Sequence, residues 1–385
     1  MKKQITQPLF PLKVALVHDF LREYGGAERV IEALHEIFPT APLYTAFVDK
    51  NAMGSQWQRF KNWDIRQSWA ASIPWIHAIY SPLRVFSNKF FESCTFAEYD
   101  VVISSTNMYM AKAIRTQAPT KHYCYCHTPP RSLYGYSTMT DWKKNPLMRI
   151  AGELINHYMR IIDYQTAQNP DVFIANSKEV QRRITKFYRR DSQVIYPPIT
   201  IPPTPPPSAE QASSAQTPSA QKENFYLFVG RLAASKHVDL VIKTCTQLGL
   251  PLKIVGSGRA LPYLQSLAGN TVEFLGSVSD ETLCDLYARA KTLIYPAEDE
   301  DFGMVPLEAM AYGTPVIVHH SGGFLETVVD GKTGIFFTEF TVEALEKAIR
   351  QAERVEWDAE ALYRHAKRFS KERFKREILS LIFQQ

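Results

Sequence analysis

The chain has few cysteines, and they are not arranged as a disulfide scaffold requires. Five cysteines occur among 385 residues, an odd number with no Cys-x-x-Cys pair, and Cys124 and Cys126 are separated by a single residue. Disulfide scaffolds depend on paired cysteines, whereas cytosolic proteins keep their thiols reduced. The composition therefore indicates a reducing compartment.

Long apolar runs are also missing. No stretch approaches the roughly 18 consecutive apolar residues of a membrane-spanning helix, and residues 1–12 lack the long apolar core of a signal peptide. We therefore expect a cytoplasmic protein, and we leave open peripheral contact with the inner face of a membrane.

The chain carries no strong excess of one charge. Its 44 basic and 39 acidic residues leave a net charge of +5, which is too small to indicate a nucleic-acid partner. A Gly-x-Gly-x-x-Gly fingerprint is absent after the first predicted strand, where the sequence reads HDFLREYGG. A nicotinamide dehydrogenase is therefore the weakest interpretation.

Short runs of Val, Ile and aromatic residues alternate with stretches of helical period, which is typical of buried parallel strands joined by crossover helices. This pattern occurs in both halves of the chain and predicts an α/β fold with two doubly wound domains. The predicted strands are residues 14–18, 101–105, 122–126 and 172–175, and then 225–230, 252–256, 272–276, 293–296 and 316–319.

A change in composition predicts the domain boundary. Residues 197–224 are rich in Pro, Ser, Ala and Gln, which cannot bury a core, and are interpreted as a linker or surface loop. They separate an N-terminal domain, residues 1–196, from a C-terminal domain, residues 225–368. Residues 369–385 have helical spacing and can pack on either domain, including back on the N-terminal one.

The stretch EDEDFGMVPLEAMAYGTPVIV, residues 298–318, concentrates chemistry after a predicted strand. Gly303 permits a tight turn, and Pro306 suits the first turn of a helix that carries Glu308. Glu300 on the loop and Glu308 on the helix can accept hydrogen bonds from two polyhydroxyl parts of one ligand. On this pattern alone, the acids equally fit a role in satisfying the helix dipole.

The wider spacing carries a resemblance. Glu300 and Glu308 are eight residues apart, with Phe302 and Gly303 between them, and Gly-Thr-Pro-Val and SGGFLETVVDGKTGIFF follow. With FVGRLAASKHVDLVI, VGSG, FLGSVSDETLCDLYARA and VHDFLREYGGAERV, this stretch resembles the retaining glycosyltransferases of family four, also called group 1. YCHTPPRSLYG and IANSKEVQRRITKFY are similar to bacterial mannosyltransferases of surface-polysaccharide assembly. The resemblance implies the GT-B fold, in which two Rossmann-like domains face a central cleft.

The resemblance also implies roles for individual residues. A departing diphosphate needs fixed positive charge, which Arg231 and Lys236 can supply. Glu300 would hold the donor sugar and Glu308 the ribose hydroxyls. Beside these catalytic and binding candidates, His127 looks like the family histidine that reaches the donor sugar, and Arg131 is a weaker candidate for acceptor or phosphate contact. The remaining donor-binding candidates are Gly25, Gly26, Gly256, Val278, Phe302, Gly303 and Met304.

Several alternatives remain beside this interpretation. The acidic run contains Asp299-x-Asp301, which holds a divalent metal in another glycosyltransferase class, but Arg231 and Lys236 already supply positive charge. We therefore expect no metal and no cofactor. The extra acid also lets Glu298 or Asp299 share the role of Glu300. An isomerase of the epimerase type and an inactive nucleotide-sugar-binding protein are the rival functions.

The expected partners are a nucleotide-sugar donor, with GDP-mannose as the first guess, and a saccharide or polyprenyl-linked acceptor. The implied reaction retains anomeric configuration, with the leaving phosphate helping to deprotonate the acceptor. Residues 57–96 interleave aromatic and basic side chains, as segments at membrane interfaces do. Packing of these rings on the N-terminal sheet explains the same composition equally well.

Overall fold

The computed structural model describes residues 12–108, 110–136, 146–206 and 222–383. The chain divides into two compact units: the first contains the described residues up to Pro198 together with those from Lys371 onwards, and the second runs from Ile199 to Ser370.

The first unit is built on a seven-stranded sheet in the order β3-β2-β1-β4-β5-β6-β7, in which every neighbouring pair is parallel. All residues of β1 and β4 are buried, as expected for central strands covered on both faces. The strands are β1 Val14–His18, β2 Leu43–Thr45, β3 Ile65–Gln67, β4 Val101–Thr106, β5 Lys121–Cys126, β6 Val172–Ala175 and β7 Ser192–Val194.

Helices complete the first unit. The α-helices are Gly26–Ile37, Lys50–Met53, Ile76–Ile79, Arg131–Tyr134, Pro146–Thr166, Lys178–Tyr188 and Lys371–Phe383, and the 3₁₀ segments are Gly54–Arg59, Trp69–Ser72, Pro82–Lys89 and Ala111–Ala113.

The second unit repeats the plan with a six-stranded parallel sheet in the order β10-β9-β8-β11-β12-β13. Its strands are β8 Tyr226–Val229, β9 Leu252–Val255, β10 Val272–Gly276, β11 Thr292–Tyr295, β12 Val316–His319 and β13 Gly334–Phe337. Its helices are Val238–Leu248, Leu261–Leu267, Asp280–Arg289, Met304–Ala311, Phe324–Thr327, Val342–Ala352 and Ala359–Lys367, preceded by the 3₁₀ turn Ala234–Lys236.

The predicted α/β class with two doubly wound halves is confirmed. Each predicted strand occurs and differs from the observed one by at most one residue at either end. The sequence patterns did not single out β2, β3, β7 and β13. Three of these strands are only three residues long, and β13 begins with a glycine, so none of them produces a distinct apolar run.

The residues at the start of the predicted linker and the C-terminal helix both have defined contacts. The Ile199 N–H donates to the Phe369 carbonyl (2.9 Å), and the Tyr363 hydroxyl donates to the Pro202 carbonyl (3.1 Å), within the second unit. Residues 207–221 of the predicted linker lie outside the described residues. The helix Lys371–Phe383 belongs to the first unit, where the Phe374 ring lies 5.9 Å from that of Tyr125.

Because every paired strand in each sheet is parallel, the loops after the strands collect at one edge of that sheet. The candidate residues lie on these loops and on the helices that follow, which is where open α/β sheets bind ligands.

Candidate active site

Glycines shape the acidic loop that follows β11. Gly303 has φ +91° and precedes the helix Met304–Ala311, a conformation that favours glycine. The loop also packs against Gly322, where the backbone of Glu300 leaves no room for a side chain: a Cβ at Gly322 would lie 2.3 Å from the Glu300 carbonyl oxygen. The Gly323 N–H donates to this same oxygen at 2.8 Å. The SGG sequence at residues 321–323 therefore fixes the position of Glu300.

Lys236 and Glu300 form an ion pair. The Lys236 Nζ and the Glu300 Oε2 are 2.6 Å apart, and the two side chains are only 14% and 17% exposed. Burial alone would lower the pKa of Lys236, but the Glu300 carboxylate raises it, and the net shift is upward. The sequence predicted both residues for the site but did not predict that they contact each other.

Tyr295 lies beneath this pair, and the sequence analysis did not select it. The Lys236 ammonium is 5.0 Å from the centroid of its ring. Burial and the Glu300 carboxylate raise the pKa of Tyr295, while Lys236 and Arg231 oppose the rise. The predicted Arg231 therefore lies close enough to act electrostatically on the same phenol, although its own side chain is exposed.

Glu308 lies deeper, on the helix Met304–Ala311. Its residue is 6% exposed, and its Oε2 accepts a 2.9 Å hydrogen bond from the Tyr287 hydroxyl. Tyr287 is also buried and comes from the neighbouring helix Asp280–Arg289. A buried carboxylate needs hydrogen-bond donors, and Tyr287 supplies one and orients the group. This tyrosine was missed because its position on a helix face is typical of a core residue.

Gly256 permits two loops to meet. It follows β9 with φ +134°, and a Cβ at this position would lie 1.9 Å from the Gly230 carbonyl oxygen. The Leu232 N–H also donates to the Ser257 carbonyl at 2.9 Å. This close packing aligns the loop that carries Arg231 with the end of β9.

The other predicted residues of the second unit lie at the same sheet edge. Val278 follows β10 and is half-buried. Phe302 is 2% exposed, and its ring packs 5.6 Å from that of Phe369, so its side chain belongs to the core and only its backbone faces the loop. Met304 is the first residue of the helix after Gly303.

In the first unit, His127 is part of a chain of buried side chains at the edge of the sheet. The Ser105 Oγ lies 2.9 Å from the His127 Nε2 and 3.1 Å from the His18 Nδ1. The His18 Nε2 lies 3.4 Å from the Glu28 Oε1. Burial lowers the pKa of His127 to about 3, so this imidazole is neutral. His18, Ser105 and Glu28 were not selected from the sequence, although the first two occur at the ends of predicted strands.

Gly25, Gly26 and Arg131 lie close to this chain in sequence. Gly25 precedes the helix Gly26–Ile37, and its N–H donates to the Glu28 Oε2 at 2.8 Å. This bond belongs to a capping arrangement at the start of the helix. Arg131 begins the short helix Arg131–Tyr134, four residues after His127.

Among the described residues, no group of three or more His, Cys, Asp or Glu side chains is arranged to hold a metal ion. The expectation that no metal is required remains a prediction.

Residues 209–373 match the family model for glycosyl transferases group 1. The D-inositol 3-phosphate glycosyltransferase of Streptomyces avermitilis is 28% identical over 227 residues, which cover 53% of this chain and 47% of the relative. The alpha-1,3/1,6-mannosyltransferase ALG2 of Candida glabrata is 24% identical over 384 residues, covering 84% and 79%. In several curated relatives, the match spans only 32% to 54% of the relative's length.

The solved structures extend the comparison to the whole chain at the level of fold. Anabaena Alr3699/HepE in complex with UDP and glucose has a TM-score of 0.68 at 19% identity, covering 97% of this chain and 100% of that chain. Similarity at this identity shows the fold, which is GT-B, as the sequence predicted. Over residues 209–373, the chain is similar to the glycosyl transferases of group 1.

Proposed function

We propose that this protein is a retaining glycosyltransferase that moves a sugar from a nucleoside-diphosphate sugar to a saccharide acceptor in polysaccharide biosynthesis. One observation carries the proposal: the Lys236–Glu300 pair and the buried Glu308 lie after the neighbouring strands β8 and β11, at one edge of the second sheet. This places cations and hydrogen-bond acceptors together where a parallel sheet binds its ligand.

The cations suit the leaving group. When a sugar nucleotide reacts, the diphosphate departs with negative charge, and Arg or Lys can stabilise it without a metal. Lys236 has a raised pKa and is therefore positively charged at neutral pH. In the ligand-free protein its charge is neutralised by Glu300. Donor binding would give Lys236 a phosphate oxygen and leave Glu300 to accept hydrogen bonds from the sugar.

The carboxylates suit the hydroxyls of the donor. Glu308 would take the ribose hydroxyls, while the Tyr287 hydroxyl holds its second oxygen in place. The backbone of residues 302–304 offers the N–H groups of a helix start to the sugar and the phosphates. Val278, two residues after β10, would lie beside the base.

Mannose from GDP-mannose is the donor we propose first. The likeness to a mannosyltransferase that covers 84% of this chain supports mannose. The HepE structure contains UDP and glucose, so a UDP-sugar is the second donor to test.

Exposed apolar side chains on the first unit support a lipid-linked acceptor at a membrane surface. Four rings of residues 57–96 are buried, those of Phe60, Phe90, Phe91 and Phe96, but Trp69, Trp75 and Phe86 are 43%, 80% and 55% exposed. Arg84 and Lys89 flank Phe86 in sequence, which is the composition of an interfacial segment. In the described part of the chain, no helix is both long enough and apolar enough to cross a bilayer.

A second exposed stripe lies on the helix Pro146–Thr166. Ile150, Leu154, Tyr158 and Ile161 recur at helical spacing and are all exposed. The Arg84 guanidinium donates to the Asn156 Oδ1 at 3.2 Å, which joins this helix to the segment that carries Phe86. We propose that the two apolar surfaces together contact the membrane that holds the acceptor.

A panel of nucleotide sugars tests the donor site. GDP-, UDP-, ADP- and TDP-sugars are added to the protein, and the melting temperature is measured. We expect the largest increase with GDP-mannose, and we expect Lys236→Ala to abolish it. The control is Lys243→Ala, which removes an exposed lysine paired with Asp239 in the same unit. An equal increase in wild type and Lys236→Ala would remove Lys236 from the site.

Product analysis separates the proposal from its rivals. An epimerase-type enzyme would convert the donor without an acceptor, and an inactive binding protein would show the thermal shift without any product. Transfer that depends on added acceptor supports the glycosyltransferase, and the anomeric configuration of its product tests retention.

A further inference from the structure

In the first unit, the side chains of Glu28, His18, Ser105 and His127 form a series of polar contacts. The positions of their protons decide which group donates and which accepts at each contact. All four side chains are buried, and each residue is at most 8% exposed. Ser105 is the central member, because its Oγ lies within hydrogen-bond distance of one ring nitrogen on each side. A serine hydroxyl has a single proton, and the two ring nitrogens are the hydrogen-bond partners of the Ser105 Oγ in the described part of the chain, so Ser105 donates to one imidazole and accepts from the other.

With Glu28 ionised, as its lowered pKa indicates, two arrangements satisfy this geometry. If His18 carries a proton only on Nε2, its bare Nδ1 accepts from Ser105, and Ser105 must then accept from a protonated His127 Nε2. If His18 carries protons on both nitrogens, its Nδ1 donates to Ser105, and Ser105 donates to a bare His127 Nε2. In the second arrangement, a neutral His127 must carry its only ring proton on Nδ1.

The buried carboxylate of Glu28 selects between them. In the described part of the chain, His18 is the only ionisable base in contact with Glu28. The carboxylate of Asp19, next to His18 in sequence, is also buried, and it accepts from the Thr106 hydroxyl and from the N–H groups of Asn107, Met108 and Ala111. A buried carboxylate is costly without a compensating positive charge, which favours the imidazolium form of His18.

The electrostatics agree with this choice. Burial lowers the pKa of His18, but Glu28 and Asp19 raise it, and the net shift is upward. Burial would raise the pKa of Glu28, whereas His18 lowers it, and the net shift is downward. The His18–Glu28 distance of 3.4 Å is long for a charge-assisted hydrogen bond, so the contact is mainly an ion pair.

We propose that Glu28, His18 and Ser105 are positioning residues that fix His127 in the Nδ1–H tautomer and so make its Nδ1 a hydrogen-bond donor. The consequence for catalysis rests on the proposed function and on the role that the family resemblance implies for His127, which is to reach the donor sugar. A fixed Nδ1–H would donate to a sugar hydroxyl oxygen, and it would be unable to accept a proton through Nδ1.

Nitrogen NMR of histidine-labelled full-length protein tests this directly. The one-bond and two-bond couplings of each imidazole show which of its nitrogens carry protons, and the spectra of His18→Gln and His127→Gln assign the two rings. In the ligand-free wild type at neutral pH, we expect His18 to be protonated on both nitrogens and His127 only on Nδ1. A His127 protonated on Nε2, or a His18 with only one protonated nitrogen, overturns the proposal.

Adjacent serines of β4 provide a matched pair of variants. Ser105→Ala should abolish the Nδ1–H preference of His127 and lower kcat/KM for the donor about tenfold, the factor for one hydrogen bond of ordinary strength. Ser104 is also fully buried, and its Oγ lies 2.8 Å from the His122 Nε2, on the opposite face of the strand. Ser104→Ala should change the His122 signals and leave those of His127 unchanged.

The outcomes separate this proposal from the proposed function. If Ser105→Ala leaves the protonation of His127 unchanged, Ser105 does not set the tautomer, and the proposal is wrong. If the expected proton pattern is found but no nucleotide sugar serves as a donor, the positioning chain is supported and the proposed function fails.

Discussion

The two units share a parallel sheet plan but present different chemistry at the carboxyl edges of their sheets. In the first unit, the edge carries a deeply buried chain that contains a neutral histidine. In the second unit, the edge carries the partly exposed Lys236–Glu300 pair and the exposed Arg231. Under the proposed function, the second unit would bind the charged part of the donor, and the first unit would offer one oriented hydrogen bond.

The largest effect is expected when a charge is removed from the carboxyl edge of the sheet in the second unit. Lys236→Met should lower kcat by roughly 10²–10³-fold, the loss found when one preorganised group that stabilises transition-state charge is removed. Steady-state transfer kinetics measure this loss, with Lys243→Met as the surface control. If Lys236→Met and Lys243→Met lose activity equally, Lys236 does not stabilise the leaving diphosphate.

A smaller effect is expected from Glu308. Glu308→Gln keeps the size of the side chain and an acceptor for Tyr287, but it weakens the bonds proposed to the ribose. A hydrogen bond to a charged group contributes about 1.5–3 kcal/mol, so the donor KM should rise roughly 10–100-fold with a smaller change in kcat. An unchanged KM would place the ribose elsewhere.

The pH dependence of the free energy of unfolding tests the burial of the histidines in the first unit. Burial lowers the pKa of both His122 and His127 to about 3. Below pH 6.5, His122 and His127 bind protons in the unfolded state but not in the folded state. The free energy of unfolding should therefore fall with decreasing pH between 6.5 and 3, by up to about 1.4 kcal/mol per pH unit for each histidine.

The pKa shifts of two other groups, His18 and Glu28, also change the stability in or near this pH range. His18, with a raised pKa, adds stability that is present below pH 6.5 and is lost as the pH rises through its folded value. Glu28, with a lowered pKa, adds stability that is lost as the pH falls below 4.5. Urea unfolding followed by tryptophan fluorescence measures the slope, because the tryptophans at 57, 63, 69 and 75, four of the six in the chain, lie in the first unit. His122→Asn should flatten it, and a slope unchanged from wild type would contradict the account.

The weakest effect is expected at the membrane. Phe86→Ser should reduce binding to liposomes that contain anionic lipid about fivefold, because part of a phenyl ring no longer leaves water. Tyr263→Ser is the matched control, since Tyr263 is also 55% exposed but lies in the second unit. Equal binding by wild type and Phe86→Ser would remove this residue from the proposed membrane contact.

The sequence predicted the elements that position the candidate site because their signals are local. Runs of Val and Ile mark the central strands, and Gly303 and Pro306 mark the helix start before Glu308. These features depend on residues within one turn or one strand, so spacing alone reveals them.

The contacts between these elements were not predictable in the same way. His18 and Ser105 are 87 residues apart and meet only because β1 pairs with β4. Tyr287 and Tyr295 are aromatic residues on elements with buried faces, and the pattern does not distinguish a site residue from a core residue there. The pairing of Lys236 with Glu300 depends on the orientation of two long side chains, which spacing does not determine.

The most direct test is a crystal structure of the protein with a bound nucleoside-diphosphate sugar. The account predicts that the Lys236 Nζ leaves Glu300 for a phosphate oxygen, that Arg231 contacts the same diphosphate, and that the Glu308 carboxylate accepts from the ribose hydroxyls. A donor bound with its diphosphate away from Lys236 and Arg231, or with its ribose away from Glu308, would contradict the assignment of the second unit as the donor site.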